Sequence, residues 1–229
     1  MTEQILGLSS MATKGLLTDL SEAWLRQSSR PVHFDSAGGV EVARRIRAGV
    51  RADVAVLSSE QMAGLDADGL FEDGTLRPLF VSDVVAAVPE NAAPVTFSTD
   101  ADVKAAVTGA GRIAYSTGPS GKALIDLLER WELLEAVQPR LVQARSGIPV
   151  GTLLTGGEAD LGFQQGSELS DLAGIRILGP LPGAAAIRST FSGAVLARSA
   201  NKASARKVLQ FLTSEEAQRY VIAAGMTVA

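Results

Sequence analysis

A polar loop between Tyr115 and Leu124 carries residue types suited to binding a small ligand. It reads Tyr-Ser-Thr-Gly-Pro-Ser-Gly-Lys-Ala-Leu and follows the apolar fragment Ile113-Ala114. Beyond it, apolar residues recur with the spacing of one helix face, at Leu124, Leu127, Leu128, Trp131 and Leu134. The pattern predicts a strand, a loop capped by Ser or Thr, and a helix that begins near Pro119 or Ser120. Unpaired backbone N–H groups and the helix dipole make such a start a site for a small anion.

Two alternatives to anion binding remain for this loop. The pair Gly121-Lys122 is reminiscent of a nucleotide-binding P-loop, but that motif needs Gly where this chain has Ser116 and Ser or Thr where it has Ala123. The other alternative is an ordinary capped helix that binds nothing.

Similar loops follow other predicted strands, at Ser9-Ser10-Met11, Ser36 to Gly39, Gly147 to Gly151 and Gln164-Gln165. In open α/β sheets, ligands bind outside the carboxyl ends of the strands. These loops are rich in Ser, Gly and Gln and poor in charge, which favours recognition of an anion by neutral donors. Each loop alone also fits a turn with a cap, whereas five at equivalent strand ends favour a ligand site. The predicted binding residues are Ser9, Ser10, Met11, Gly38, Gly39, Thr117, Ser120, Gly121, Val150, Gln164 and Gln165.

The sequence does not single out a general base. Lys14 and Lys122 each fall in the first turns of a predicted helix, and Lys14 or a bound water is the candidate for proton transfer. His33 follows Val32 in a predicted strand and fits an ordinary strand-face residue. Arg145 and Arg188 could clamp carboxylates. The best-supported alternative for both lysines is a solvated surface position.

Composition narrows the class of protein. The net charge is -4 over 229 residues, and the Arg residues at 44, 45, 47 and 51 fit one solvated helix side, which argues against a nucleic-acid surface. With no Cys and one His, we expect no disulfide, no metal site and no cofactor. No apolar run approaches the roughly 20 residues of a membrane span. The first residues lack the features of an export signal, so we expect a cytoplasmic protein, or a periplasmic one if a signal was removed.

Three strand-loop-helix units open the chain. Their predicted strands are Gln4 to Leu8, Val32 to Asp35 and Asp53 to Leu57, and each is followed by small polar residues and an amphipathic helix. Such a succession predicts a parallel sheet covered by helices.

Two long extended segments, Leu79 to Pro89 and Thr190 to Ala197, predict two crossings between lobes. The first lobe is expected at residues 1–82 plus 194–229 and the second at 83–193, with a ligand cleft between them. Gly-Glu-Ala-Asp-Leu-Gly from residue 157 echoes Val-Arg-Ala-Asp-Val from residue 50, as if each lobe repeats a Gly turn, Ala-Asp and a strand. Two amphipathic helices after residue 200 return to the first lobe.

This order of units resembles the type II solute-binding proteins, in particular the periplasmic molybdate-binding family, over nearly the whole chain. The matching motifs are Ser-Met-Ala-Thr-Lys-Gly-Leu (10–16), Ala-Arg-Arg-Ile-Arg-Ala-Gly-Val-Arg-Ala-Asp-Val (43–54), Gly-Glu-Ala-Asp-Leu-Gly (157–162) and Phe-Leu-Thr-Ser-Glu-Glu-Ala-Gln (211–218). The resemblance implies a two-lobed α/β fold with two crossover strands and an interlobe cleft. It also implies an oxyanion ligand and, for an exported protein, an ABC permease as partner.

The family's ligand positions depart from its pattern in this chain. Its first-loop Ser falls on Met11, beside Ser10, its second-loop Ser pair falls on Gly38-Gly39, and its Tyr falls on Gln165. The loss of hydroxyls implies a larger or planar anion such as a carboxylate, rather than tetrahedral molybdate.

Four loop sequences also resemble a branch of this fold that usually lacks an export signal. They are Leu-Ser-Ser-Met-Ala-Thr (8–13), Tyr-Ser-Thr-Gly-Pro-Ser-Gly (115–121), Gly-Phe-Gln-Gln (162–165) and Gly-Pro-Leu-Pro (179–182). Aconitate isomerase, which shifts a proton across a tricarboxylate, is an enzymatic relative of the fold. This resemblance implies that the chain binds a di- or tricarboxylate in the cleft and isomerises it by proton transfer. The alternatives are an oxyanion receptor of an ABC importer and a non-catalytic ligand sensor.

Overall fold

A computed structural model describes residues 4–170 and 172–229. The strands are β1 (Ile5–Ser10), β2 (Val32–Ala37), β3 (Val54–Ser58), β4 (Arg77–Pro89), β5 (Ile113–Tyr115), β6 (Leu141–Gln143), β7 (Leu161–Gln165), β8 (Ile175–Pro180), β9 (Arg188–Val195) and β10 (Thr227–Val228). The α-helices are α1 (Lys14–Gln27), α2 (Gly39–Arg47), α3 (Ser59–Ala67), α4 (Asp100–Gly109), α5 (Pro119–Arg130), α6 (Leu134–Val137), α7 (Val150–Thr155), α8 (Gly166–Leu169), α9 (Lys202–Leu212) and α10 (Glu215–Ala223). Among the helices of this described part, none has the length and apolar character needed to span a membrane.

The chain divides into two compact units. The first unit comprises Met1–Val81 and Thr190–Ala229, and the second comprises Ser82–Ser189. Strands β4 and β9 each pass from one unit into the other, as the two long extended segments of the sequence predict. The second boundary falls before the predicted one at residue 194, because the first residues of β9 that pair with β3 already belong to the first unit.

The first unit is built on a mixed sheet. Strand β1 pairs in parallel with β2 and β3, and β9 then pairs antiparallel with β3. One face of the sheet packs against α1, α9 and α10 through a cluster that includes Leu17, Trp24 and Phe211. The other face packs against α2 and α3 through Ile46 and Met62. Burial on both faces explains why β3 is a continuous buried run rather than an alternating one.

The second unit repeats this plan. Strand β5 pairs in parallel with β6 and β7, and β4 pairs antiparallel with both β7 and β8. Apolar residues of α4 and α5, among them Val103 and Leu124, cover one face. Those of α7 and α8, among them Leu154 and Leu169, cover the other. The sheet of each unit is therefore mixed. In the first unit β1, β2 and β3 are parallel, as their three strand-loop-helix units predict, and β9 adds an antiparallel strand.

The Ala-Asp echo in the sequence corresponds to one repeated contact. Asp53 precedes β3 and accepts the backbone N–H of Leu6 on β1 at 2.9 Å. Asp160 precedes β7 and accepts the backbone N–H of Arg112, which precedes β5, at 2.8 Å. In both units a carboxylate therefore ties together the starts of two neighbouring parallel strands.

Candidate functional site

The ends of β1 and β2 bring the predicted residues of the first unit together. Their parallel register pairs Ser9 with Ser36 and Ser10 with Ala37, so the loops that follow both strands begin side by side. The hydroxyls of Ser9 and Ser36 form a hydrogen bond of 2.7 Å. Because these two hydroxyls bond each other, the next residue along β1, Ser10, is the better candidate for binding a ligand.

Ser10 carries a buried hydroxyl that is free to bind. Its side chain is 7% exposed, and its Oγ has no hydrogen-bond partner within the described residues. The Ser10 carbonyl does have one, because the Thr13 hydroxyl donates to it at 3.2 Å. A buried polar atom without a partner costs free energy, so its presence at a strand end favours a ligand there.

The start of α2 combines two glycines with a nearby carboxamide. Gly38 is the N-cap residue, and a Cβ added to Gly39 would lie 2.5 Å from Oε1 of Gln61. The Ser58 hydroxyl donates to that same oxygen at 3.1 Å. Gln61 therefore lies over the α2 start, a position that reasoning from the sequence missed because Gln61 is inside α3 rather than in a loop.

The loop after β5 is closely packed at the start of α5. The helix begins at Pro119, as predicted, but its N-cap is Gly118 rather than Ser or Thr. The Ser116 and Ser120 hydroxyls bond each other at 2.8 Å, while Thr117 is exposed. A Cβ on Gly121 would clash with the backbone carbonyl oxygen of Ser116, so this position requires glycine.

Gln164 and Val150 are in direct contact. The Val150 N–H at the start of α7 donates to Gln164 Oε1 at 2.6 Å. Both residues are buried. In this structure the Val150 N–H is therefore already bonded, and the prediction that it binds an anion needs Gln164 to move away.

Gln165 lies at the end of β7 and is 3% exposed. Its Nε2 donates to the Ser189 hydroxyl at 2.5 Å, and Oε1 has no partner in the described part of the chain. Because a hydroxyl can donate as well as accept, a half-turn of the amide presents Nε2 as the free group instead. Ser82 on β4 carries another buried hydroxyl without a partner among the described residues, which makes a third such polar atom.

Glu168 is a half-buried carboxyl group that sequence reasoning missed. It lies on α8, directly after β7. Burial raises the pKa of Glu168 to about 7, against an ordinary value of 4.5, and a hydrogen bond from the Gln164 side chain opposes that rise. A single Glu after Gly-Ser gives no signal in a sequence, because its burial depends on how α8 packs.

Helix starts differ in whether an N-cap side chain bonds to them. The starts of α3, α4 and α10 are capped by Ser58, Thr99 and Ser214, whose side chains accept a backbone N–H. Within residues 4–170 and 172–229, no N-cap side chain forms such a bond at α1, α2, α5, α7 or α8. In the described part of the chain, helices α1, α2, α5 and α8 therefore begin without an N-cap side chain bonded to their first N–H groups.

The ionisable candidates lie on the surface. Lys14 is the exposed first residue of α1, and exposed Lys122 pairs with Asp126 at 3.3 Å. His33 is exposed on β2, as expected for a strand-face residue, and Arg145 is exposed in the loop after β6. Arg188 pairs with Asp83 at 3.0 Å.

A mixed α/β sheet in each unit and two linking strands define a solute-binding protein fold. The family model described as bacterial extracellular solute-binding protein matches residues 5–227, and the chain belongs to that family. The predicted type II solute-binding fold, with its resemblance to molybdate-binding proteins, is therefore confirmed.

The proteins that resemble this chain include an enzyme and transport-related binding proteins. An aconitate isomerase from Pseudomonas sp. is 28% identical over 227 residues, which cover 96% of this chain and 86% of the relative. The periplasmic molybdate-binding protein of Azotobacter vinelandii has a TM-score of 0.83 at 22% identity, over 99% of this chain and all of the other. The substrate-binding domain of a putative molybdenum ABC transporter from Clostridium difficile has a TM-score of 0.77 at 20% identity, over 99% of both chains.

Proposed function

We propose that this protein binds a small organic anion with two or three carboxylates at the strand ends and isomerises it by proton transfer. The observation that carries the proposal is that each unit has a buried strand-end side chain, Ser10 in the first and Gln165 in the second, with a polar atom that has no partner among the described residues. A bound ligand satisfies such atoms at little cost, since their desolvation is already complete.

The donors at these strand ends suit a carboxylate. They are hydroxyls, carboxamides and the N–H groups of uncapped helices, and they form charge-assisted hydrogen bonds with an anion without requiring a cation. Gly38 and Gly39 leave the α2 start without side-chain hydroxyls, which favours a larger or planar anion over a tetrahedral one.

The proposed reaction follows from the same donors. Removing a proton next to a carboxylate places negative charge on that carboxylate, and N–H and O–H donors aimed at it stabilise the enolate-like state. The aconitate isomerase relative supports this choice of reaction over other uses of the site.

The test is to incubate the protein with cis- or trans-aconitate in D₂O and follow both isomers by NMR. We expect interconversion and deuterium uptake at carbon well above the buffer rate. Binding of aconitate with neither interconversion nor exchange would contradict the proposed reaction.

Ser10→Ala tests the binding site separately. The variant should unfold within about 0.5 kcal/mol of the wild type, because it removes no internal hydrogen bond of the hydroxyl. Its Kd for aconitate should rise about tenfold, since the ligand loses one hydrogen bond to a charged group. Thr18→Ala, on the exposed side of α1, is the control and should leave the Kd unchanged.

A second candidate function is that of an ABC importer's binding receptor, which the family's description and the Clostridium difficile structure favour. A thermal-shift screen of carboxylates and oxyanions separates the two. Strong stabilisation by molybdate or tungstate, with none by di- and tricarboxylates, would favour the receptor over the isomerase.

A further inference from the structure

The position of Glu168 relative to the strand ends suggests a chemical role. Helix α8 starts at Gly166, immediately after β7, and the parallel register of β5 and β7 pairs Tyr115 with Phe163. The loop that leads into α5 therefore starts next to the end of β7. Glu168 follows the strand end at which the candidate residues of the second unit gather.

Helix α8, which carries Glu168, packs on an apolar part of the second unit. The next residue, Leu169, is fully buried against the cluster that contains Val85, Val150 and Leu153. A Cβ on Gly166 would lie 3.2 Å from the Val85 side chain, so α8 packs directly on β4. In the described ranges, no Lys or Arg forms an ion pair with Glu168. Such surroundings favour the neutral acid over the carboxylate.

Gln164 holds this carboxyl group in place. Its Oε1 accepts the Val150 N–H at 2.6 Å, which fixes the amide orientation and leaves Nε2 as the group that faces Glu168. The Glu168 carboxyl group therefore accepts a hydrogen bond from the Gln164 amide. A short chain of hydrogen bonds joins the start of α7, Gln164 and Glu168.

We propose that Glu168 is the base, and then the acid, of the isomerisation, and that Gln164 is the residue that positions it. This inference rests on the proposed function and adds the residue that moves the proton. It replaces Lys14, which is exposed at the start of α1.

The proton transfer is a closed cycle. A Glu168 oxygen forms an O–H bond as a C–H bond next to a substrate carboxylate breaks, and the electron pair spreads over the neighbouring carbons and that carboxylate. The acid proton on Glu168 exchanges with solvent, and Glu168 then delivers a proton to another carbon of the three-carbon unit, so a C–H bond forms and the O–H bond breaks. Nothing is oxidised or reduced, and Glu168 ends as the carboxylate. Because burial brings the pKa of Glu168 to about 7, both forms are available near neutral pH.

The elements next to α8 add few ionisable groups. Helix α7 and strand β7 contain none. On β4, Asp83 has its carbonyl oxygen 3.7 Å from a Cβ built on Gly166, and its side chain pairs with Arg188 on β9. The acid limb of a pH–rate profile should therefore report Glu168.

The test compares Glu168→Gln and Glu168→Asp with the exposed control Glu158→Gln. We expect Glu168→Gln to lower kcat for aconitate at least 100-fold and to abolish deuterium uptake, while the Kd from calorimetry changes less than threefold. Glu168→Asp should recover part of the rate, and Glu158→Gln should match the wild type. A Glu168→Gln variant that is folded by circular dichroism and keeps more than a tenth of wild-type kcat would overturn the inference.

Gln164→Leu distinguishes a positioning role from a structural one. Without the Gln164 donor, which lowers the pKa of Glu168, the acid limb of the wild-type profile should move to higher pH. An unshifted limb in an active Gln164→Leu variant would contradict the positioning role. A wild-type protein that neither isomerises nor exchanges aconitate refutes the proposed function itself, an outcome distinct from an active Glu168→Gln.

Discussion

The residues at the starts of the strands are alike in the two units, but the residues at the ends of the strands differ. At the strand starts, Asp53 and Asp160 make the same contact to a neighbouring backbone N–H. At the strand ends, the first unit has the unpartnered hydroxyl of Ser10, whereas the second has the carboxamides of Gln164 and Gln165 and the carboxyl group of Glu168. The shared contact is structural, and the difference lies at the proposed ligand-binding residues. We expect changes at the ends of the first unit to alter affinity and changes at the ends of the second to alter turnover.

The largest effect should come from comparing the glycines at two helix starts. Gly121→Ala should destabilise the protein by about 3 kcal/mol, because its Cβ would clash with a backbone carbonyl that cannot move without unwinding α5. Gly39→Ala should stay within about 1 kcal/mol of the wild type, since its Cβ meets only the flexible end of Gln61. Urea unfolding of both variants measures the difference, and equal losses would mean that the two helix starts are equally constrained.

The two aspartates test how far the repeated contact is equivalent. Asp53 is buried and also accepts from the Ser199 hydroxyl at 2.6 Å, whereas Asp160 is exposed. Asp53→Ala should cost about 3 kcal/mol, because it leaves buried donors without partners, and Asp160→Ala about 1 kcal/mol. Urea midpoints of the two variants give the ranking, and a costlier Asp160→Ala would reverse it.

The pH dependence of stability should differ between carboxyl groups of the two units. The folded protein holds a proton on Glu168 up to about pH 7, whereas an unfolded Glu loses it near 4.5. The stability that this group contributes is therefore complete below 4.5 and lost as the pH rises through 7. Glu168→Gln should remove that loss and be more stable than the wild type at pH 8 by about 1–3 kcal/mol. Unfolding at pH 4.5, 6 and 8 provides the measurement.

Glu72 in the first unit is a control, because its pKa is shifted in the direction opposite to that of Glu168. A hydrogen bond from Arg206 lowers the pKa of Glu72, so its contribution is present at neutral pH and lost as the pH falls below 4.5. Glu72→Gln should therefore lose stability relative to the wild type at neutral pH. The same pH slope in both variants would mean that Glu168 is not held as the neutral acid.

Much of the fold follows from local patterns in the sequence. The apolar spacing of α1 correctly predicted that Leu16, Leu17, Leu20, Ala23 and Trp24 are buried. Small polar residues before each periodic run predicted the strand-to-helix transitions, including the start of α5 at Pro119. These features depend on residues close together in the chain, which is why one sequence suffices.

The contacts that define the site depend instead on distant residues. Val150 bonds to Gln164 across α7 and the turn that follows it, and Ser189 bonds to Gln165 from the start of β9. The antiparallel pairing of β9 with β3 was missed for the same reason. The burial of Glu168 results from the packing of α8 against β4, which no local pattern encodes.

The discontinuity of the first unit affects how the protein is made. Residues 82–189 form a complete second unit, so this part can fold on the ribosome as soon as it has emerged. The first unit has to wait, because β9, which pairs with β3, and helices α9 and α10, which cover its sheet, all come from residues made later. Until then, the edge of β3 from Val54 to Ser58 remains unpaired and apolar, in a form that invites pairing with another nascent chain. Synthesis of this protein therefore passes through a stage in which its earliest segment exposes an apolar strand edge that only later residues cover.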